Sequence, residues 1–194
     1  MAGRARGPRV IAGEAGGRRL TVPRTGALRP TADRVKESLF AALGPDRIDG
    51  AAVLDLFAGT GALGIEALSR GAERALFVDR DAGAAAAVAA NVELTGFAGV
   101  GRVVRREVGP FLAAGPPVEA PFSLVFLDPP YEQAAAAVDA VLAALTTAWV
   151  APGATVVVER GAASEPPRFP ERWVSTWERC YGDTLVWFAR TSEE

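Results

Sequence analysis

From residue 51 onward, short apolar runs alternate with helical patterns. The run 51-AAVLDLF-57 leads into 62-ALGIEALSR-70, which Gly71 can end, and 74-RALFVD-79 leads into a helix over 82–95, stopped by Gly96. The run 102-RVVRR-106 precedes a short helix at 108–114, 122-FSLVFLD-128 precedes a helix over 132–147, and 154-ATVVVER-160 follows. Strands that alternate with helices bury their apolar residues in a parallel sheet covered by helices on both faces. The last two runs, 173-WVSTWERC-180 and 184-TLVWFAR-190, have no helix between them. They predict a closing antiparallel hairpin. The expected fold is therefore α/β and Rossmann-like, with a seven-stranded, mostly parallel, doubly wound sheet.

The segment before residue 51 does not follow this alternation. Two short apolar runs around Gly13, Gly16 and Gly17 in 8-PRVIAGEAGGRRLTVP-23 predict a small β-hairpin. In 29-RPTADRVKESLFAAL-43, Thr31 can cap a helix that carries Val35, Leu39, Phe40 and Leu43 on one face. This divides the chain into a basic hairpin arm over 1–28 and a larger domain over 29–194.

Residues 1–36 carry a net charge of +7, and the remainder carries −9. A basic arm on an acidic body suits a polyanionic partner such as nucleic acid. The chain has one cysteine, Cys180, and no histidine. An internal disulfide is impossible, a Cys/His zinc site is excluded, and so are Ser-His-Asp and Cys-His catalysis. No apolar stretch is long enough to cross a bilayer, and the arginine-rich N-terminus lacks a signal-peptide core. A cytoplasmic protein is expected.

Chemistry concentrates at two strand ends. In 55-DLFAGTGALG-64, Gly59, Gly61 and Gly64 match G-x-G-x-x-G between a strand and its helix, and Asp79 ends the next strand. That spacing suits a carboxylate gripping ribose hydroxyls. Asp55, beside the turn, would repel a pyrophosphate. It would welcome the ammonium of an amino-acid moiety. S-adenosylmethionine offers an ammonium, a ribose and an adenine without phosphate. The expected cofactor contacts are Asp55, Phe57, Ala58, Gly59, Gly61 and Asp79, with Glu107 accepting from the adenine amino group.

The second strand end is 128-DPPY-131. Two prolines supply carbonyls and no N–H, so the site is rich in acceptors. An exocyclic amine on a nucleobase is a poor nucleophile because its lone pair is delocalised. The Asp128 carboxylate and the Pro129 carbonyl can hold its two N–H groups, with Pro130 stiffening the turn and Tyr131 stacking on the base.

The turn resembles the first motif of class I methyltransferases. The tetrad resembles the catalytic motif of amino-methyltransferases. Together with 9-RVIAG-13, 18-RRL-20, 28-LRPTADRVKESLFAAL-43 and 181-YGDT-184, they give nearly the whole chain a resemblance to the RsmD family of bacterial 16S ribosomal RNA guanine-N2 methyltransferases. The resemblance implies S-adenosylmethionine as cofactor and guanine 966 of 16S ribosomal RNA as target. It implies a small ribosomal subunit, or its assembly intermediate, as partner, and a monomeric enzyme. It makes Arg18, Arg19, Arg24, Arg29 and Arg34 candidate RNA contacts. Glu107 stands where the superfamily often has Asp or Asn. Three other readings use the same residues: a DNA adenine-N6 or cytosine-N4 methyltransferase, a nicotinamide-dependent oxidoreductase, and a non-catalytic RNA-binding factor.

Overall fold

A computed structural model describes residues 7–23, 33–130 and 132–193, with the side chains of Ser175 and Thr176 excepted. Helix α1 spans Asp33–Leu43. The alternating region follows as β1 (Ala52–Leu56), α2 (Ala62–Ser69), β2 (Arg74–Asp79), α3 (Ala82–Thr95), β3 (Gly101–Arg105), α4 (Val108–Ala113), β4 (Phe122–Leu127), α5 (Ala135–Leu145) and β5 (Val150–Gly161). Strands β6 (Val174–Tyr181) and β7 (Thr184–Arg190) complete a seven-stranded sheet of order β3-β2-β1-β4-β5-β7-β6. The first five strands are parallel, and β7 pairs antiparallel with both β5 and β6.

The order fixes where a ligand can sit. From β1 the chain winds outward through β2 to β3. It then returns to β4, beside β1, and winds the other way. The crevice at such a switch point, at the carboxyl ends of the strands, is where doubly wound sheets bind ligands. Here it lies between the turn after β1 and the turn after β4.

Side chains alternate across the sheet, so each strand feeds two cores. Val53, Phe77, Phe126, Val157 and Phe188 pack beneath α1, α2 and α3. Leu54, Leu56, Val78, Val125 and Val158 pack beneath α4 and α5. Every residue of α2 is buried, which needs cover on its outer side as well. Val10, Ala15 and Leu20 of the N-terminal segment provide it and join the same core.

That segment forms the expected small hairpin in reduced form, with one antiparallel bridge, Arg9 to Arg19. Val10 N–H donates to the Arg18 carbonyl and Leu20 N–H to the Pro8 carbonyl, each at 2.8 Å, and the rest of its backbone bonds partly within the loop and partly to the domain. The N–H groups of Ile11 and Ala12 donate to Glu66 at 2.7 and 3.1 Å, and that of Ala15 donates to Ser69 Oγ at 2.9 Å. Gly13 is wedged so tightly that a Cβ there would lie 1.6 Å from the Ser69 carbonyl oxygen. The expected Thr31 cap and the expected division at 28/29 lie outside the described residues.

Smaller differences have local causes. Helix α5 begins at Ala135 rather than 132, because residues 132–134 form a turn and bend ahead of it. Strand β5 starts at Val150, earlier than expected, because Val150 pairs with Phe122 ahead of a register shift that absorbs Pro152 and Gly153. Helix α3 spans the predicted residues, with the Asp81 side chain accepting from Ala84 N–H at 2.8 Å and Gly96 in the left-handed region at its end. No helix among the described residues is long and apolar enough to cross a membrane.

Candidate active site

A cleft of about 1030 Å³ opens at the switch point, lined from Asp55 to Leu63 on one side and by Asp128, Pro129 and Pro130 on the other. Asp55 forms its floor. The last turn of β1 points this carboxyl at α2, where Oδ2 accepts the Gly64 N–H at 2.9 Å. Gly64 is required there: a Cβ would lie 2.3 Å from the Phe77 ring and 3.0 Å from Asp55 Oδ2. Burial pushes the Asp55 carboxyl up to about 8, with the nearby Asp79 charge adding and the Gly64 hydrogen bond opposing. An unliganded Asp55 is thus poised between neutral acid and carboxylate, and a cation in the cleft would favour the carboxylate.

The turn above Asp55 is strained and stitched down. Phe57 adopts φ 64°, a left-handed conformation uncommon for a residue other than glycine, and Gly59 and Gly61 follow at φ 57° and 76°. Such outliers collect at ligand sites because the surrounding structure must hold them. Ala58 N–H donates to the Val78 carbonyl at 3.1 Å, and Gly61 N–H to the Ala58 carbonyl at 2.7 Å. Asp79, at the end of β2, clasps the turn. Its Oδ2 accepts the Gly59 N–H at 2.8 Å and its Oδ1 the Asp81 N–H at 2.9 Å. Each oxygen keeps a lone pair for a ligand hydroxyl.

Asp128 continues β4 and is half-buried; Pro129 is buried and Pro130 exposed. The loop after them is tied at two points. Gln133 N–H donates to the Pro130 carbonyl at 2.9 Å, and the buried Arg160 guanidinium donates to the Gln133 carbonyl at 2.7 Å. Tyr131 lies outside the described residues. Glu107 is exposed, opens α4 and lines the cleft.

The electrostatics of the cleft select among cofactors. Among the described residues, seven carboxylic side chains line it (Asp55, Asp79, Asp81, Glu107, Asp128, Glu132 and Glu159) against one cation, Arg80. A dinucleotide pyrophosphate would meet this wall of like charge, whereas a sulfonium and an ammonium would meet opposite charge. The residues fit S-adenosylmethionine: Asp55 would hold the ammonium, Asp79 the ribose and Glu107 the adenine edge.

The structure gathers Asp55, Phe57, Ala58, Gly59, Asp79, Glu107 and Asp128–Pro130 around one cleft, while Gly61 shapes the turn without lining it. Among the expected RNA-contacting arginines, the described ones, Arg18, Arg19 and Arg34, do not line the cleft. Arg18 is exposed and donates to the Leu94 carbonyl near the end of α3. Arg19 is exposed and donates to the Gly7 carbonyl at 3.5 Å, and Arg34 is exposed on α1. Arg24 and Arg29 lie outside the described residues. Lys36, counted with the basic arm, is fully buried: its ammonium bonds to the Arg9 carbonyl and lies 3.5 Å from Glu66 Oε2. It offers no charge to a polyanion.

Three supporting residues were missed. Asn91 Nδ2 donates to the Thr60 carbonyl in the glycine turn at 2.9 Å and to the Thr21 carbonyl at 3.0 Å. Glu66 anchors the N-terminal segment, and Arg160 anchors the loop after Pro130. A signal existed for two of them: the chain's only asparagine sits in an alanine-rich helix, and Glu66 interrupts the apolar stretch 62-ALGIEALS-69.

Known proteins share this arrangement. The model of the family Conserved hypothetical protein 95 matches residues 8–190. Ribosomal RNA small subunit methyltransferase D of Escherichia coli K12 is 37% identical over 174 residues, covering 90% of this chain and 85% of that protein. The solved structure of E. coli yhhF superposes with a TM-score of 0.84 at 35% identity, covering 96% of this chain and 98% of that one. An RNA methyltransferase from Salinibacter ruber, solved with S-adenosyl-L-homocysteine, shares the fold at a TM-score of 0.62 and 19% identity, covering 86% of this chain and 95% of that one. With the family model matching residues 8–190 and ribosomal RNA small subunit methyltransferase D 37% identical across 90% of the chain, this protein belongs to the RsmD family, the family of ribosomal RNA small subunit methyltransferase D.

Proposed function

We propose that this protein methylates the N2 amino group of one guanine in 16S ribosomal RNA, guanine 966 by its family resemblance, with S-adenosylmethionine as the methyl donor. The observation that carries the reading is the juxtaposition at the switch point. Asp128–Pro130 face the same cleft as the turn over Asp55 and Asp79. The relatives of this chain named as ribosomal RNA small subunit methyltransferase D supply the substrate class.

When bound, the cofactor supplies an electrophilic methyl group. The chain's own residues do the rest. Asp55 and Asp79 hold the amino-acid and ribose ends. The Asp128 carboxylate and the Pro129 carbonyl each accept one N–H of the guanine N2 group, which turns its lone pair toward the cofactor side of the cleft. Tyr131 stacks on the base, which must leave its helix or be unpaired to reach it. Transfer of the methyl group would break its bond to the sulfonium sulfur, leaving S-adenosylhomocysteine, and N2 would shed one proton, which Asp128 would receive. Positioning of this kind can supply much of the rate.

The acidic cleft repels RNA phosphates, so the backbone must be held elsewhere. The exposed Arg19 and Arg34, with Arg24, Arg29 and the outer face of Arg18, are assigned that role. The test uses tritiated S-adenosylmethionine and small ribosomal subunits lacking the modification, followed by digestion of the RNA. Label is expected in N2-methylguanosine. Label in another nucleoside, or in protein, contradicts the assignment.

A further inference from the structure

Strands β2 and β3 carry arginines at both ends, and the two ends are built differently. At the amino ends, Arg74 pairs with Glu73 at 2.5 Å and donates to the Glu119 carbonyl at 3.1 Å, and Arg102 pairs with the Glu119 carboxylate. At the carboxyl ends stand Arg80, Arg105 and Arg106, all exposed. Asp79 and Arg105 are register partners, Arg80 follows Asp79, and the Arg106 N–H donates to the Asp79 carbonyl at 3.0 Å. The three therefore stand together at the ends of two neighbouring strands, and Arg80 lines the cleft.

Among the described residues, no side-chain hydrogen bond or ion pair engages these three guanidinium groups. Carboxylates stand next to them in the chain but are occupied by backbone. Asp79 accepts the Gly59 and Asp81 N–H groups, and Asp81 accepts the Ala84 N–H. Three like charges left free at one edge repel one another, and a polyanion at the mouth of the cleft relieves that.

Arg18 of the N-terminal segment does not serve this place. Helix α3 starts beside the cleft, where Ala84 lines it, and its 14 residues run about 21 Å toward the opposite edge of the sheet. Arg18 donates to the Leu94 carbonyl near that far end. An RNA strand whose base enters the cleft needs cations nearer its backbone.

We infer that Arg80, Arg105 and Arg106 bind phosphates of the target RNA strand a few nucleotides from the methylated base, on the cofactor side of the cleft; this rests on the ribosomal RNA reading above. The base is held at β4, and β3 lies three strand spacings away, about 14 Å. The RNA backbone crosses the cleft mouth between the two. The carboxylates below keep it at the rim, and the arginines hold it there. Guanidinium forks bind phosphate oxygens bidentately, which fixes position without reading a base.

The test compares Arg105→Ala/Arg106→Ala with a control, Arg172→Ala/Arg190→Ala. The control removes the same charge at the opposite edge of the sheet, where Arg190 ends β7 beside the start of β6. Affinity for protein-free 16S ribosomal RNA is measured by filter binding over a range of salt, which needs no methyl transfer. The Arg105/Arg106 variant is expected to bind about tenfold more weakly, with the slope of log affinity against log salt shallower by about 1.4 for two lost phosphate contacts. On small subunits, KM should rise by a similar factor while kcat stays within about twofold. Affinity for S-adenosylhomocysteine, within about threefold of wild type, reports an intact fold and cofactor site. Unchanged RNA affinity and slope, an equal loss in the control, or a loss that follows cofactor affinity overturns the inference. A loss on small subunits but not on protein-free RNA assigns the arginines to a ribosomal protein and overturns it too. Failure of the wild type to methylate guanine overturns the guanine-N2 reading, while the binding data still decide whether these arginines hold RNA.

Discussion

Asn91 and Thr60 are joined across the structure: the Asn91 amide on α3 donates to the Thr60 carbonyl in the cofactor turn at 2.9 Å. The same side chain accepts the Thr21 N–H and the Thr21 hydroxyl, each at 2.7 Å, and donates to the Thr21 carbonyl at 3.0 Å. One fully buried amide thereby ties the N-terminal segment to the glycine turn.

Asn91→Ala leaves the Thr60 carbonyl and the Thr21 polar groups without these partners. Each buried group so stranded costs about 1–3 kcal/mol. The expected outcome is a fall in S-adenosylhomocysteine affinity of roughly tenfold, together with faster proteolysis of residues 7–23. Calorimetry and limited proteolysis measure the two effects. A change in one without the other would show that the link does not run through Asn91.

Glu66 binds Lys36 at 3.5 Å, Arg70 at 2.7 Å and two backbone N–H groups of the N-terminal segment, all with its side chain fully buried. Burial pulls the Lys36 ammonium below the usual lysine range, while Glu66 and Asp33 oppose the shift. Glu66→Ala strands that cation, and breaking such a pair costs about 3–5 kcal/mol. Urea denaturation should show the loss. A midpoint like that of the wild type would mean the network contributes little to the fold.

The Asp55 carboxyl, pushed up to about 8 by burial, gives the unliganded protein a pH dependence. The unfolded chain releases this proton near pH 4, and the folded chain keeps it until about pH 8. The unfolded state therefore binds fewer protons across that window, so this group's effect is to lower stability as pH rises from about 4 to about 8, with no further change above. Asp55→Asn should remove that decline from the thermal melting profile. In the wild type, S-adenosylmethionine should expel the proton as its ammonium arrives. Binding enthalpies at pH 6.5 should then differ between buffers of different ionisation heat, and should not differ in Asp55→Asn. Buffer-independent enthalpies in the wild type would contradict the assigned partner.

Gly64 leaves no room for a methyl group between α2 and the Phe77 ring, where a Cβ would approach to 2.3 Å. Gly64→Ala should cost about 1–3 kcal/mol by overpacking. It should also weaken cofactor binding by displacing Asp55. A variant with wild-type stability and affinity would show that the helix shifts without consequence.

The fold was legible because its signals are local and repetitive. Period-two and helical patterns from residue 51 onward, with glycines at the helix ends, predicted all seven strands and the order in which helices join them. The glycine turn and Asp128–Pro130 could be found in the sequence and line one cleft, because close backbone approach demands glycine and a donor-poor strand end uses proline. The supporting contacts were hidden, since each joins residues far apart in the chain. Asn91 and Thr21 are separated by 70 positions, and Glu66 and Ile11 by 55. The N-terminal hairpin was legible, but its anchoring was not: Ile11, Ala12 and Ala15 donate to Glu66 and Ser69 of α2, which no pattern within residues 8–23 reveals. Lys36 looked like part of a basic surface because composition does not show burial.

The central claim is that Asp128 positions the substrate amine and does not serve the cofactor. Single-turnover methyl transfer to small subunits, measured for wild type and Asp128→Ala alongside S-adenosylhomocysteine affinity, tests it most directly. The account predicts a transfer rate lower by about 10²-fold or more, with cofactor affinity changed by less than about threefold. A transfer rate equal to that of the wild type, or a loss that follows cofactor affinity alone, would contradict it.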